Sequence, residues 1–266
     1  MTASTWKPQL VALDVDGTLL DPATHRISPA VREAVHRVLA AGSQVVIATG
    51  RSQLATLPIL QELDLTSGVS LCSNGAVVLD AATREVLSTE TFDPGPAVAK
   101  LQELFPGVLL AAEELGAGHL VTGRFDDHLL VGPQHPVSPH ELGERRVPRL
   151  IAHWKGHTPA EMADVLATAQ LPACTWTLDH TEAWLTLVPT GVSKGVALEK
   201  LAAEMGITRE DVLAAGDGSN DVQMLRWAGH SVAMGQAPHD IRAVADETTA
   251  SVDQDGLALA LNRWFR

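Results

Sequence analysis

The chain has 266 residues, 45% of them hydrophobic and 19% charged, enough for one large globular domain or two smaller ones. Its formal net charge of −13 argues against sequence-independent binding to nucleic acid or to an anionic membrane, so a site for an anionic substrate has to carry its own local positive charge. Two cysteines, Cys72 and Cys174, make neither a disulfide framework nor a cysteine-rich metal site, and no apolar run approaches the roughly 18–20 residues of a membrane span.

In chain order, residues 1–8 are polar and lack the apolar stretch of a leader peptide, so a soluble cytoplasmic protein is expected. Residues 9–13 form an apolar run that ends in acidic residues, the pattern of a buried strand entering a loop. Ser28 and Pro29 then mark a helix start, Val31, Val35, Val38 and Leu39 give it helical spacing, and Gly42 stops it. A β-branched strand at 45–48, a helix over about 53–63 and a strand at 69–72 follow. This strand–helix alternation implies a parallel sheet with right-handed crossovers. The same grammar returns late: a helix at 192–205, a strand at 212–215, a helix at 220–227, a strand at 231–234, and helices from 238 and 257.

Between the two halves the texture changes to strands separated by turn-rich stretches, such as Asp93-Pro94-Gly95-Pro96 and Gly132-Pro133. Ser138 with Glu141 and Thr158 with Glu161 each match a capping box. The expectation is an α/β fold: a Rossmann-like parallel-sheet core from residues 1–79 and 190–266, with an inserted α+β cap at 80–189.

Four short segments carry candidate chemistry. Asp14-Val15-Asp16-Gly17-Thr18 falls at the carboxyl end of the first strand, where open α/β sheets bind ligands. Residues i and i+2 of an extended segment point the same way, and two carboxylates placed so resist burial without a cation. Mg²⁺, which takes oxygen ligands and pairs with carboxylates and phosphate, would resolve that conflict. A solvated acidic turn has the same sequence pattern, because Asp-Gly turns are common. Thr49-Gly50-Arg51 ends the second strand and offers a hydroxyl and amides to an anion. Lys194 opens a helix, where positive charge is unfavourable, and a local rule broken in this way hints at function. Gly216-Asp217-Gly218-Ser219-Asn220-Asp221 places two acids and an amide among glycines at another strand end, the second half of a cation site.

Together these segments resemble the four motifs of the haloacid dehalogenase superfamily of phosphohydrolases, most closely the Cof-type branch with its inserted type IIB cap. Asp14 to Leu20 is similar to the first motif residue for residue, Ala48 to Arg51 to the second, Lys194-Gly195 to the third and Gly216 to Asp221 to the fourth. Ser73-Asn74-Gly75-Ala76 resembles the Asn-Gly segment that precedes the cap in this branch. The resemblance implies a Mg²⁺-dependent phosphatase for a small phosphorylated metabolite such as a sugar phosphate, a nucleotide-like phosphate or pyridoxal phosphate. It implies Asp14 as nucleophile and Asp16 as general acid and base. Asp14, Asp217, the Asp16 carbonyl and Gly218 would hold the metal. Val15, Thr49, Gly50, Lys194 and Asn220 would hold phosphate, and Asp221 would support them. It also offers Arg124, His128, Trp154 and Lys155 as cap residues touching substrate.

Two other readings stay open: a phosphosugar mutase of the phosphomannomutase type, and a non-catalytic metabolite-binding module on the same fold. The charged cluster of Asp14, Asp16, Lys194 and Asp217 weighs against the second, since a pure binder does not need it. His153 and His157 have the spacing of a zinc helix, but an N-cap at Thr158 would start the helix after both. Cys72 ends a strand and reads as a buried small hydrophobe, not a nucleophile. A monomer and a homodimer are both compatible with the sequence.

Overall fold

The computed structural model describes residues 6–126 and 130–266. Among them the chain first lays down β1 (Leu10–Leu13), β2 (Gln44–Ala48), β3 (Val69–Cys72), β4 (Val77–Asp80) and β5 (Val86–Thr89). The middle adds β6 (Leu109–Glu114), β7 (Gly118–Val121), β8 (Gln134–Pro136), β9 (Leu150–His153), β10 (Cys174–Leu178) and β11 (Trp184–Pro189). The last stretch supplies β12 (Val212–Gly216), β13 (His230–Ala233) and β14 (Glu247–Thr248).

One sheet runs β14-β13-β12-β1-β2-β3-β4-β5, parallel through β3 and antiparallel from there. The expected boundary after residue 79 falls within its final hairpin, because β5 pairs with β4. Side-chain alternation splits the parallel strands cleanly. Val11, Leu13, Val45, Ile47, Leu213 and Ala215 join one apolar cluster with helices α1 (Pro29–Ala40) and α2 (Gln53–Glu62) and with the chain near its end. Leu10, Ala12, Val46, Ala48, Val212 and Ala214 join another, on the opposite face. Burial on both faces is why these strands read as continuous apolar runs.

The second sheet runs β10-β11-β9-β6-β7-β8. Leu110, Ala112, Leu150, Ala152, Leu185 and Leu187 pack against helices α3 (Gly95–Leu104), α4 (Pro139–Gly143) and α5 (Pro159–Leu166). Residues of the other parity, Ala111, Val121 and Ile151, form a separate cluster with Phe125 and Leu130 on the face without helices. Both expected capping boxes are present, at Ser138–Glu141 and Thr158–Glu161. His153 therefore ends β9 and His157 precedes α5, so the two share no helical face.

The chain returns through α6 (Lys194–Glu204), α7 (Val222–Trp227), α8 (His239–Arg242) and α9 (Gly256–Leu261). Helices α6, α7 and α8 cover the second face of the larger sheet, and α9 packs with α1 on the first. From β1 the chain moves outward to β2, and after the insertion it returns to the other side of β1 through β12. The strand order thus reverses at β1, and that is where open α/β sheets leave a crevice for ligands. No helix among the described residues is long and apolar enough to cross a membrane.

Candidate active site

Strand β1 delivers Asp14 to the crevice, 5% exposed, with its backbone N–H donated to the Ala215 carbonyl of the neighbouring strand. The chain then turns sharply. Gly17 has φ +83°, and a Cβ there would lie 2.1 Å from Asp217 Oδ2. Only glycine satisfies both the left-handed backbone and that close approach.

Strand β12 ends at Gly216 and hands over to Asp217, and the loop closes on Asp221, whose Oδ2 accepts the backbone N–H of both Asp217 and Gly218 at 2.9 Å. That carboxylate fixes a one-turn 3₁₀ helix at Ser219–Asp221, so α7 starts only at Val222, later than the sequence pattern suggests. Ser193 caps α6 by accepting the Val196 N–H, which sets Lys194 at the helix's first position. Lys194 is fully buried. Its Nζ donates to Asp14 Oδ1 at 2.6 Å and to Asp221 Oδ1 at 2.7 Å.

Asp14, Asp217 and Asp221 place carboxylate oxygens within 4.8 Å of one another, with Lys194 the ammonium among them. The electrostatics show the excess of negative charge. Burial would lower the Lys194 pKa, but Asp14 and Asp221 outweigh it and hold it above its ordinary value. Asp14 is pushed well above the carboxylate range by burial and then by Asp221, with Lys194 opposing. Asp217 is pushed up to about 7 by burial and Asp221, although Gln236 donates to its Oδ2. Both oxygens of Asp221 are occupied by hydrogen bonds. Asp14 and Asp217 each keep an oxygen that accepts no hydrogen bond from the described residues, facing a site that repels further negative charge. Two hard oxygen donors short of a positive partner fit a divalent cation such as Mg²⁺.

Asp16 points to the more open side and is held in a fork by Arg51, Nε to Oδ2 at 2.8 Å and Nη2 to Oδ1 at 2.6 Å. Thr49 is buried, and its hydroxyl oxygen accepts the Arg51 N–H at 3.1 Å. Asn220 Nδ2 donates to Asn74 Oδ1 at 2.9 Å, beside Gly50. Asn74 and its neighbour Ser73 both adopt positive φ, 55° and 51°. That backbone region is costly for non-glycine residues and marks functional turns more often than chance.

These groups border a cavity of about 350 Å³. Asp14, Asp16, Gly50, Arg51, Asn74, Asp217, Gly218 and Asn220 form its floor, and the second sheet and its loops form the roof. Val15, Thr49 and Lys194 lie buried beneath the floor, not on it.

The profile of haloacid dehalogenase-like hydrolases matches residues 11–106 and 163–261 of this chain. The chain belongs to that family. It is 30% identical over 277 residues to the pyridoxal phosphate phosphatase YbhA of Escherichia coli, covering 92% of this chain and 96% of that one. It is 28% identical over 274 residues to the 5-amino-6-(5-phospho-D-ribitylamino)uracil phosphatase YitU of Bacillus subtilis, covering 97% and 98%. Among solved structures it resembles the subclass IIB sugar phosphatase BT4131, with a TM-score of 0.82 and 30% identity, covering 96% of this chain and 98% of that one. The chain is therefore a haloacid dehalogenase-like enzyme of the phosphoric monoester hydrolase class, in the Cof-type, IIB branch.

In this hydrolase the residues read from the four motifs converge on one crevice. The insertion residues read from sequence do not. Trp154 follows β9 on the helix-covered side: its Nε1 donates to the Pro106 carbonyl and its ring stacks on His157. Lys155 is exposed and lies 3.5 Å from Asp126, and Arg124 is exposed. None of the three lines the cavity. His128 lies outside the described residues. The roof is built instead by Leu130, Val131, Arg149, the β10–β11 hairpin from Thr177 to Glu182, Trp184 and Thr186. Parity carried a signal for two of these: Trp184 and Thr186 alternate with the apolar Leu185 and Leu187 and so face away from the helices. Cys72 is fully buried, and that burial pushes its thiol up to about 12, the condition of an inert packing residue.

Proposed function

We propose that this hydrolase is a Mg²⁺-dependent phosphatase that cleaves a small-metabolite phosphate monoester through an aspartyl phosphate on Asp14. The observation that carries the reading is the buried Lys194 bridging Asp14 and Asp221, which fixes the Asp14 carboxylate at the crevice and sets a positive charge beside it. Asp14 would attack phosphorus as the ester P–O bond breaks, and Asp16 would give its proton to the leaving oxygen. Water would then attack the aspartyl phosphate while Asp16 takes the proton back, releasing inorganic phosphate and restoring Asp14. For either step Asp16 has to exchange its Arg51 fork for the substrate.

Thr49 already accepts the Arg51 N–H, so its hydroxyl proton is the one available to a phosphoryl oxygen. The Val15 and Gly50 amides, the Asn220 amide group and the third Lys194 proton complete the set assigned to phosphate. Asp14, Asp217 and the Asp16 carbonyl, with Gly218 beside them, would hold Mg²⁺, which when bound neutralises charge gathering between the carboxylates and the phosphate. Asp221 acts one step away, fixing Lys194 and the Asp217 and Gly218 amides.

The roof confines the leaving group to something of metabolite size. The relatives' substrates, a phosphorylated pyridoxal, a phosphorylated ribitylaminouracil and a sugar phosphate, are of that class. Asp14→Asn tests the reading with a chromogenic phosphate ester: turnover should fall below about 1% of wild type. Higher retained turnover would sink the covalent route.

A further inference from the structure

The insertion places a buried charge pair against two core loops: Thr49–Gly50, assigned to phosphate, and Ser73–Asn74, which holds the Asn220 amide group. Glu113 on β6 is 3% exposed, and Arg149, just before β9, is 6% exposed. They are cross-strand neighbours, with the Glu113 N–H donated to the Arg149 carbonyl. Their parity places them with Ala111 and Ile151, on the sheet face toward the core. Arg149 Nε stands 3.6 Å from Glu113 Oε2, and Arg149 Nη2 is 3.2 Å from Nε2 of the fully buried His119 on β7.

The pair's other side-chain hydrogen bonds reach across to the core. Arg149 Nη1 donates to the Gly50 carbonyl at 2.5 Å. Glu113 Oε1 accepts the Gln53 N–H at 2.8 Å, at the start of α2, and Oε2 accepts the Ser73 hydroxyl. The Gly50 carbonyl and the Arg51 N–H belong to one peptide plane. Fixing the carbonyl therefore aims the N–H at Thr49 Oγ1 and decides which way the Thr49 proton can point. Ser73 opens the positive-φ turn that presents Asn74 to Asn220. The two loops are also tied to each other, Ser73 N–H to the Arg51 carbonyl and Asn74 N–H to the Thr49 carbonyl. The two charges offset each other, and Glu113 Oε1 and Arg149 Nη1 find their hydrogen-bond partners only while the insertion lies against these loops.

We propose that Glu113 and Arg149 are positioning residues, through which the insertion, when it lies against the core, orients the Thr49–Gly50 and Ser73–Asn74 loops for phosphate. The proposal rests on the phosphatase reading given above. It makes the roof part of the phosphate cradle and not only a reader of the leaving group.

The test uses Arg149→Met, Glu113→Gln, the double variant and Arg149→Lys, with retained fold checked by thermal melting. Acetyl phosphate serves as a substrate too small to touch the roof. Arg149→Met should lower kcat for acetyl phosphate by about tenfold or more, with a similar loss for a larger aryl phosphate. Arg149→Lys should recover part of that loss. The double variant should be little worse than the poorer single variant, because the two residues act as one unit. Independently of activity, amide hydrogen exchange at Arg51, Ser73 and Asn74 should speed up in Arg149→Met. Unchanged exchange there overturns the proposal. So does a loss confined to the aryl phosphate, which would make Arg149 a leaving-group contact. A failure of the phosphatase reading looks different: wild type would turn over neither acetyl phosphate nor the aryl ester, while the exchange effect would persist.

Discussion

The floor of the cavity and its roof solve the problem of buried charge in opposite ways. In the floor, Asp14, Asp217 and Asp221 outnumber Lys194, and burial, with that imbalance added, raises two carboxylate pKa values. In the roof, Glu113 and Arg149 balance each other and pass their remaining hydrogen bonds to the core. An unbalanced cluster is costly to maintain unless something positive binds there. A balanced one gains nothing from a ligand and serves to hold two layers together. On the proposed reading the floor serves the chemistry, and Glu113 and Arg149 in the roof serve its alignment.

The largest expected effect breaks the floor. Lys194→Met leaves Asp14 and Asp221 as buried neighbours with no countercharge. Stability in urea at neutral pH should drop by about 3–5 kcal/mol, and hydrolysis should fall by about a hundredfold or more. A folded, active Lys194→Met protein would mean that the bridge is not the organising contact. The roof variants come next, with the smaller losses given above.

The pH dependence should separate the two regions by sign. His119 is pushed down to about 3 by burial, and Arg149 adds to the shift. In the unfolded chain it takes up a proton below about 6.5. Its contribution to stability is therefore complete above that pH and is lost as pH falls toward 3. Asp217 runs the other way. Raised to about 7, it contributes most below about 4, and that contribution is lost as pH rises to neutrality. Urea midpoints measured in chelator from pH 4 to 8 should lose the acid-side decline in His119→Gln and the neutral-side decline in Asp217→Asn. Added Mg²⁺ should flatten only the Asp217 component. If both components survive saturating Mg²⁺ unchanged, the floor is not a cation site.

The same contrast explains what could be read in the sequence. Each piece of the floor is a contiguous motif at a strand end or helix start, and such motifs survive the projection onto one dimension. Lys194 was visible because it breaks the helix-dipole preference, and its full burial shows what overrides that preference: two carboxylates within hydrogen-bond reach. The roof is assembled from single residues far apart in sequence, Glu113, Arg149 and Trp184, brought together by strand order in the second sheet. Nothing local announces that β6 will lie between β9 and β7. Trp154 and Lys155 are candidates only because cap loops close over the site in the family the motifs resemble, and β9 parity turns Trp154 toward the helices. Arg51 was visible in its motif, yet its fork on Asp16 depends on the fold of two loops.

The smallest effects sharpen that last point. Trp154→Ala and Lys155→Ala should leave KM within about twofold of wild type for any substrate tested, at some cost in melting temperature for Trp154. Trp184→Ala should raise KM for a metabolite ester while sparing acetyl phosphate, because Trp184 lines the roof. The reverse pattern would mean that the insertion turns its other side to the substrate.

The central claim is that Asp14 carries the phosphoryl group. A single turnover of a ³²P-labelled phosphate ester, acid-quenched and mapped by peptide, tests it most directly. Acid-stable, Mg²⁺-dependent label should appear on the peptide containing Asp14, and none in Asp14→Asn. Label on another residue, or hydrolysis by Asp14→Asn above about 1% of the wild-type rate, would contradict it.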